Sequence, residues 1–174
     1  MDDRQLWGQG LRSIKKVLAG LPVVKRKLLS ELLGEYRQEK EALAAIILTI
    51  DSGAICRECA GQCCLNGKYR LNVFDLFACF DADVSLSPDF MQKPLCPYGG
   101  TQGCAMEPAF RPADCILFIC DALDNQLSDS DKSVLNLREN GLRQSLDKAS
   151  RLLGIPVTTP LLLWAERNSI PINL

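Results

Sequence analysis

The chain has 174 residues, a 47% apolar fraction and a net charge of −1, enough material for one domain with its own core. The near-neutral charge balance gives no sign of general nucleic-acid binding, and the absence of histidine excludes histidine acid–base catalysis and the common histidine-rich zinc active site. The longest mostly apolar run, 42–50, is about half the ~20 residues that a membrane-spanning helix needs. The acidic, polar start M-D-D-R-Q resembles no secretory signal. The expectation is a cytoplasmic protein with no membrane span, whose thiols are kept reduced.

Leu6, Trp7, Leu11, Ile14 and Leu18 recur mostly at steps of three and four, predicting a helix over 3–19 that Gly20 and Pro22 interrupt. A long helix is expected from Val23 to Ile50, with Leu29, Leu32, Leu33, Tyr36, Leu43, Ile46, Ile47 and Ile50 as its apolar stripe. The basic residues Arg12, Lys15, Lys16, Lys25, Arg26 and Lys27 read as a solvated face or as a docking surface for an acidic partner. Asp51-Ser52-Gly53 is a turn signal, and the chain then enters a cysteine-rich stretch.

Beyond it, Asn66-Gly67 predicts a turn, residues 69–73 a short extended piece, and Asn72 the cap of a short helix with Val73, Leu76, Phe77 and Phe80 on its apolar face. Cys79 falls on that helix and reads as a small core residue. Residues 81–114 hold five of the nine prolines and little helical pattern, so an irregular loop in need of an external clamp is expected. Residues 121–131 read as a polar connector, in which Asp121 and Asp124, like Asp81, Asp83 and Asp89 upstream, are loop-solvating acids. A third long helix should span 131–153, carrying Leu135, Leu142, Leu146, Ala149 and Leu153 and stopping at Gly154 and Pro156. Thr159-Pro160 opens a last short helix through Arg167. The fold class is therefore mainly α: a helical bundle, read as a single domain over 1–174. Its parts are N-terminal helices in 1–55, a largely irregular cysteine-cluster region in 56–120 and C-terminal helices in 121–174.

All nine cysteines lie between residues 56 and 120, and their odd number forbids complete internal disulfide pairing. Cys56, Cys59, Cys63 and Cys64 form a tight group, C-R-E-C-A-G-Q-C-C; Cys96, Cys104, Cys115 and Cys120 form a looser one. The C-x-x-C spacing lets two thiolates converge on one metal, whereas a thioredoxin-like role would want a βαβ context in place of the helix predicted here. Adjacent cysteines rarely point the same way, so Cys63 and Cys64 either serve different centres or include one non-ligand. The eight build two four-thiolate sites, or one cluster beside four structural or redox thiols. Thiolate-only ligation suits iron–sulfur clusters, such as 4Fe–4S, and structural zinc; the spacing does not separate the two, and an iron–sulfur cluster is the first expectation. Arg111 either donates to a cluster and offsets thiolate charge, or pairs with Asp114 or Glu107.

At these residues the chain resembles the zinc- or iron-chelating cysteine-cluster family, the YkgJ-type or CxxCxxxxCC proteins. The resemblance covers 56–120 and rests on Cys56-x-x-Cys59, the Cys63-Cys64 doublet, Cys96-Pro97, Gly103-Cys104 and Arg111-Pro112-x-x-Cys115, ending at Cys120. It implies metal ligation by Cys56, Cys59, Cys63, Cys64, Cys96, Cys104, Cys115 and Cys120, with Cys79 outside the pattern. The chain departs from the family in having three residues before the doublet where members have four, Ile116 where many have arginine, and Ile119 where many have proline. The same cluster occurs in a larger flagellin lysine N-methylase, but no glycine-rich loop assignable to S-adenosylmethionine is present.

Three functions follow as expectations. The first is a metal-binding protein whose cluster mainly organises the fold and whose helices are available to a protein partner. The second is an iron–sulfur redox or protein-modifying enzyme, its small-molecule substrate undefined. The third is a thiol–disulfide switch. No G-x-S-x-G, Walker loop or dinucleotide fingerprint assigns a catalytic residue.

Overall fold

The computed structural model of the chain describes residues 1–59, 62–65, 67–100 and 103–168. The protein is mainly helical, with eight α-helices and one two-stranded hairpin among the described residues. Helix α1 (Asp3–Gly20) opens on a capping box: the Asp2 carboxylate accepts from the Gln5 N–H at 2.8 Å, and the Gln5 side chain returns the contact to the Asp2 N–H at 3.0 Å. Pro22 separates it from α2 (Val23–Leu48), which ends two residues before the expected Ile50.

Helix α7 (Asp129–Leu153) starts at a Ser128 cap, two residues earlier than its apolar pattern indicated. It stops at Gly154, whose φ of 70° is a conformation that glycine adopts without steric cost. The helix lies antiparallel to α2: Lys25 Nζ donates to the Leu152 carbonyl near one end, and Arg138 pairs with Glu39 nearer the other. Leu29, Leu33, Tyr36 and Leu43 on α2 and Leu135, Leu142, Leu146 and Ala149 on α7 are buried in one core. A fully buried leucine is worth about 1.5–3 kcal/mol, so this seam carries much of the bundle's stability.

Helix α4 (Val73–Asp81) sits at the centre, and Asn72 caps it as expected, through a reciprocal capping box with Asp75. Residues Val73 to Cys79, Asp75 among them, are buried on every side of the helix, where a one-sided stripe was expected. The Cys79 side chain is fully enclosed there, which fits its reading as a core residue. Helix α8 (Leu161–Arg167) packs on α1. The expected extended piece at 69–73 shrinks to a single bridge between Asn72 and Pro160, because the Leu71 carbonyl and the Val73 N–H bond to the chain entering α8.

The described residues between 82 and 112 are irregular except for hairpin strands β1 (Gly99–Gly100) and β2 (Gly103–Cys104). The loop has contacts of its own with the bundle, where only an external clamp was expected to hold it. Phe90, Tyr98 and Met106 are buried, and the Trp7 ring of α1 lies 6.3 Å from Phe90 and 6.2 Å from Tyr98. Lys93 pairs with Asp3 at 2.9 Å, tying the loop to the start of α1. Part of the basic face is also spent on the fold: Lys15 lies 5.4 Å from the Phe80 ring, and Arg26 donates to the Leu21 carbonyl. No described helix is long and apolar enough to cross a membrane.

Candidate metal centre

The Asp51-Ser52-Gly53 signal becomes the start of helix α3 (Ser52–Glu58). Asp51 adopts a left-handed φ of 48° and its carboxylate caps the Ala54 N–H. This short helix was not foreseen. It lifts Cys56 onto an exposed helical surface and places Cys59 at its C-cap, where the Cys59 N–H bonds to the Ile55 carbonyl. Cys63 and Cys64 follow on a 3-10 turn, Gln62–Cys64, and a second 3-10 turn spans Gly67–Tyr69. Of the turn expected at Asn66-Gly67, Asn66 lies outside the described residues.

The second cysteine group arrives from three directions. Cys96 leads into β1, and Cys104 ends β2 directly opposite Gly99. Cys115 sits on α5 (Ala113–Leu117), and Cys120 is the N-cap residue of α6 (Asp121–Asp124). Helix α3 packs against both β2 and α6, so the fold brings the two cysteine groups together from distant parts of the chain. Cys56, Cys63, Cys104 and Cys115 are exposed, Cys59, Cys64 and Cys120 half-buried, and Cys96 buried. Among the described residues, no three cysteine, aspartate or glutamate side chains converge as a group that would hold a metal ion.

The thiols nonetheless act on one another. Burial raises the pKa of Cys56, and the charges of Cys63, Cys59 and Cys120 raise it further. Burial likewise lifts Cys64 to about 12, helped by a contact with the Cys63 thiol and by the charges of Cys96 and Cys104. Cys115 is pushed up by burial and then by Cys96 and Cys104. Its residue surface is nevertheless exposed. A positive ion among such thiols would relieve both the repulsion and the desolvation. An all-sulfur donor set is the kind that a thiophilic metal or an iron–sulfur cluster takes.

Two details of the backbone concern Cys96. The Cys96 thiol, raised by burial, is drawn back by N–H groups from Tyr98 and Gly99, two and three residues on. Donors of this kind stabilise a thiolate. Gly67 sits against the same cysteine: a Cβ there would lie 2.5 Å from Cys96 Cβ and 2.7 Å from Cys96 Sγ. Only glycine lets the chain leaving the first cysteine group pass this close to the second.

Arg111 makes no ion pair with Asp114 or Glu107 among the described contacts. Its Nη2 donates to the Met106 carbonyl at 3.3 Å, and its Nε is buried without a partner. Its charge acts on Cys56, which keeps it as a candidate donor to the cluster. Arg70, which sequence reasoning passed over, acts in the same sense on Cys96 and Cys115, and its guanidinium lies 5.9 Å from the Phe118 ring.

A second missed feature braces the cysteine half from within. The Asp75 carboxylate, fully buried, accepts from Tyr36 Oη at 2.8 Å, Lys40 Nζ at 3.0 Å, the Asn72 N–H at 3.1 Å and the Ala113 N–H at 3.3 Å. One side chain thus joins α2, the start of α4 and the first turn of the helix that carries Cys115. The signal was present in the spacing: Leu29, Leu33, Tyr36, Lys40 and Leu43 alternate steps of four and three, so Lys40 occupies a core position of the stripe.

No protein-family model, no curated protein and no solved structure matches the chain. The resemblance to the YkgJ-type proteins accordingly rests on the cysteine pattern itself.

Proposed function

We propose that this chain is a metal-binding protein that holds an iron–sulfur cluster or zinc through Cys56, Cys59, Cys63, Cys64, Cys96, Cys104, Cys115 and Cys120, in the manner of the cysteine-cluster family it resembles. The observation that carries the reading is that the fold packs α3, which bears Cys56, on both β2 and α6, the elements of Cys104 and Cys120, so that cysteines distant in the chain share one side of the molecule, while the ninth, Cys79, is enclosed in the core. Four of the eight, Cys56, Cys63, Cys104 and Cys115, are exposed and so accessible to an incoming ion. When bound, the metal supplies positive charge to the thiolates and, if it is an iron–sulfur cluster, a site for one electron. Arg111 offers its unpartnered Nε as a donor to sulfur, and the Tyr98 and Gly99 N–H groups hold charge on Cys96.

The thiol-switch reading is weaker on physical grounds. Switch cysteines are activated by a lowered pKa, whereas Cys56, Cys64, Cys96 and Cys115 are all raised, Cys64 to about 12. The lysine N-methylase-like reading has no observation of its own: the groove of about 360 Å3 among α1, α2 and α4, lined by Leu18, Arg26, Leu29 and Phe80, holds none of the eight cysteines.

The test is anaerobic purification with elemental analysis for iron, zinc and acid-labile sulfide, and a visible spectrum of the same sample. Iron with matching sulfide and a brown colour supports a cluster, and stoichiometric zinc in a colourless protein supports a structural site. Cys59→Ser and Cys104→Ser should lower the metal content and Cys79→Ser should not. A full-length protein that binds neither metal with all its thiols reduced refutes the proposal.

A further inference from the structure

Positive and negative charge are segregated along the chain. Residues 4–30 carry seven of the twenty lysines and arginines and no carboxylate side chain. The other residues set thirteen cations against all twenty-one carboxylates, a net charge of −8. Lys15, Lys16, Lys25, Arg26 and Lys27 of the basic stretch are exposed, in the last two turns of α1 or the first two of α2. None of these five makes an ion pair among the described residues.

The same corner of the bundle holds a recess. The groove among α1, α2 and α4, of about 360 Å3, has Leu18, Leu29, Leu33 and Phe80 as apolar walls, and its size falls within the ~300–1,000 Å3 of ordinary ligand sites. Arg26 lines it, and Lys15 stands beside it with Nζ 5.4 Å from the Phe80 ring. The Asp81 carboxylate in its lining is already taken by Arg37 at 2.8 Å, so it offsets neither cation. Val23, 81% exposed, lies one turn before Arg26 and two before Ser30 on the same face of α2, and carries the apolar surface outward from the groove.

We propose that this groove docks an acidic segment of a partner protein. One large apolar side chain of the segment enters among Leu18, Leu29 and Phe80, and flanking carboxylates pair with Arg26 and Lys15. Charge selects the partner: the basic corner attracts it and the acidic remainder of the molecule repels it. Shape selects a peptide. Leu29 and Leu33 are only 2% and 1% exposed, recessed among three helices, so a projecting side chain reaches them and a flat lipid surface does not. The groove holds none of the cysteines, so this docking and the metal-binding reading stand or fall separately.

The experiment selects a displayed library of random, cysteine-free peptides on the full-length, reduced protein. Enriched peptides should place aspartates and glutamates around one leucine, phenylalanine or tryptophan. Fluorescence anisotropy of the most enriched peptide should show binding that weakens about tenfold in Arg26→Glu, where a charge-assisted contact is lost. Binding should also fall in high salt. Arg57→Glu, the same charge change on α3, should leave it unchanged. Ser30→Trp fills the groove from α2 and should abolish binding. Far-UV circular dichroism accompanies each variant, and Ala19→Trp, from the α1 side, replaces Ser30→Trp if the latter does not fold. Failure to enrich acidic peptides overturns the proposal, as do enriched peptides that bind Arg26→Glu and Ser30→Trp as well as the parent. Cosedimentation with phosphatidylserine vesicles that survives Ser30→Trp overturns it in favour of a lipid-binding surface. A dimer in sedimentation velocity that Arg26→Glu dissolves overturns it in favour of a contact between copies of this chain.

Discussion

Lys40→Met tests the internal brace of the cysteine half. The lysine and Asp75 side chains are both fully buried and 3.0 Å apart, and the lysine also lies 4.7 Å from the Tyr36 ring. Methionine keeps much of the volume and removes the charge, leaving the Asp75 carboxylate buried without its cation. Removing one partner of a buried pair typically costs about 3–5 kcal/mol. Asp75 retains donors from Tyr36, Asn72 and Ala113, so the lower end, about 3 kcal/mol, is expected. At roughly 2–4 °C per kcal/mol for a chain of this size, the melting temperature should fall by about 6–12 °C. The assay is urea denaturation followed by far-UV circular dichroism, at fixed metal content and under reducing conditions. The double variant Lys40→Met/Asp75→Asn removes the stranded charge and should recover a substantial part of the loss. A cost below about 1 kcal/mol for Lys40→Met, or additive costs in the double variant, would refute the reasoning.

Gly67→Ala forces a methyl group into the Cys96 side chain and backbone, which cannot both yield; it should destabilise the protein by about 1–3 kcal/mol and reduce metal content more than a surface Gly20→Ala control, measured by urea midpoint and elemental analysis. Asp3→Asn reports on the tie between α1 and the loop. Burial raises the Asp3 pKa, but hydrogen bonds and charge from Lys93 and Lys68 outweigh it and hold the carboxyl below its usual value. Its contribution is therefore present above the unfolded carboxyl pKa of about 4 and lost as pH falls through the lower folded value. Urea midpoints of parent and variant should differ at pH 7 and converge in strong acid; a constant gap would count against the pairing. Removing metal with a chelator should speed amide exchange in 52–59 and 103–120 while α2 and α7 stay protected, since neither helix carries a cysteine. Collapse of α2 and α7 protection to the same level would show that the whole bundle depends on the metal.

The parts that the sequence made legible are those governed by periodicity and capping. The stripes of α1, α2 and α7, the Asn72 cap and the Gly154 stop are local signals, and each appears within about two residues of its expected place. Helices α3, α5 and α6 escaped because seven, five and four residues are too few to display a helical period. The loop after α4 was read as lacking an apolar face because its buried residues, Phe90, Tyr98 and Met106, follow no period; Phe90 and Tyr98 are collected by Trp7, which is remote in sequence. The same limit applies to the candidate site. The cysteine types and spacings announced sulfur chemistry, yet the approach of Gly67 to Cys96 and of α6 to α3 is tertiary, and no spacing rule predicts it.

The arrangement divides the work between two kinds of cohesion. Apolar side chains from α1, α2, α4, α7 and α8 close a core in which Cys79 and Cys96 are the only buried cysteines among the described residues. That core needs no metal to account for its packing, so the expectation that metal mainly organises the fold narrows to the cysteine-bearing pieces. Those pieces are short helices, tight turns and a two-residue hairpin, none long enough to be stable by itself in water. They hang from the core at a few points: Asp75 on the Ala113 N–H, Asp3 on Lys68 and Lys93, and Gly67 against Cys96. On the proposed reading, the bundle presents short sulfur-bearing segments to an ion at defined anchor points. The anchors, more than the thiols themselves, then decide which cysteines meet.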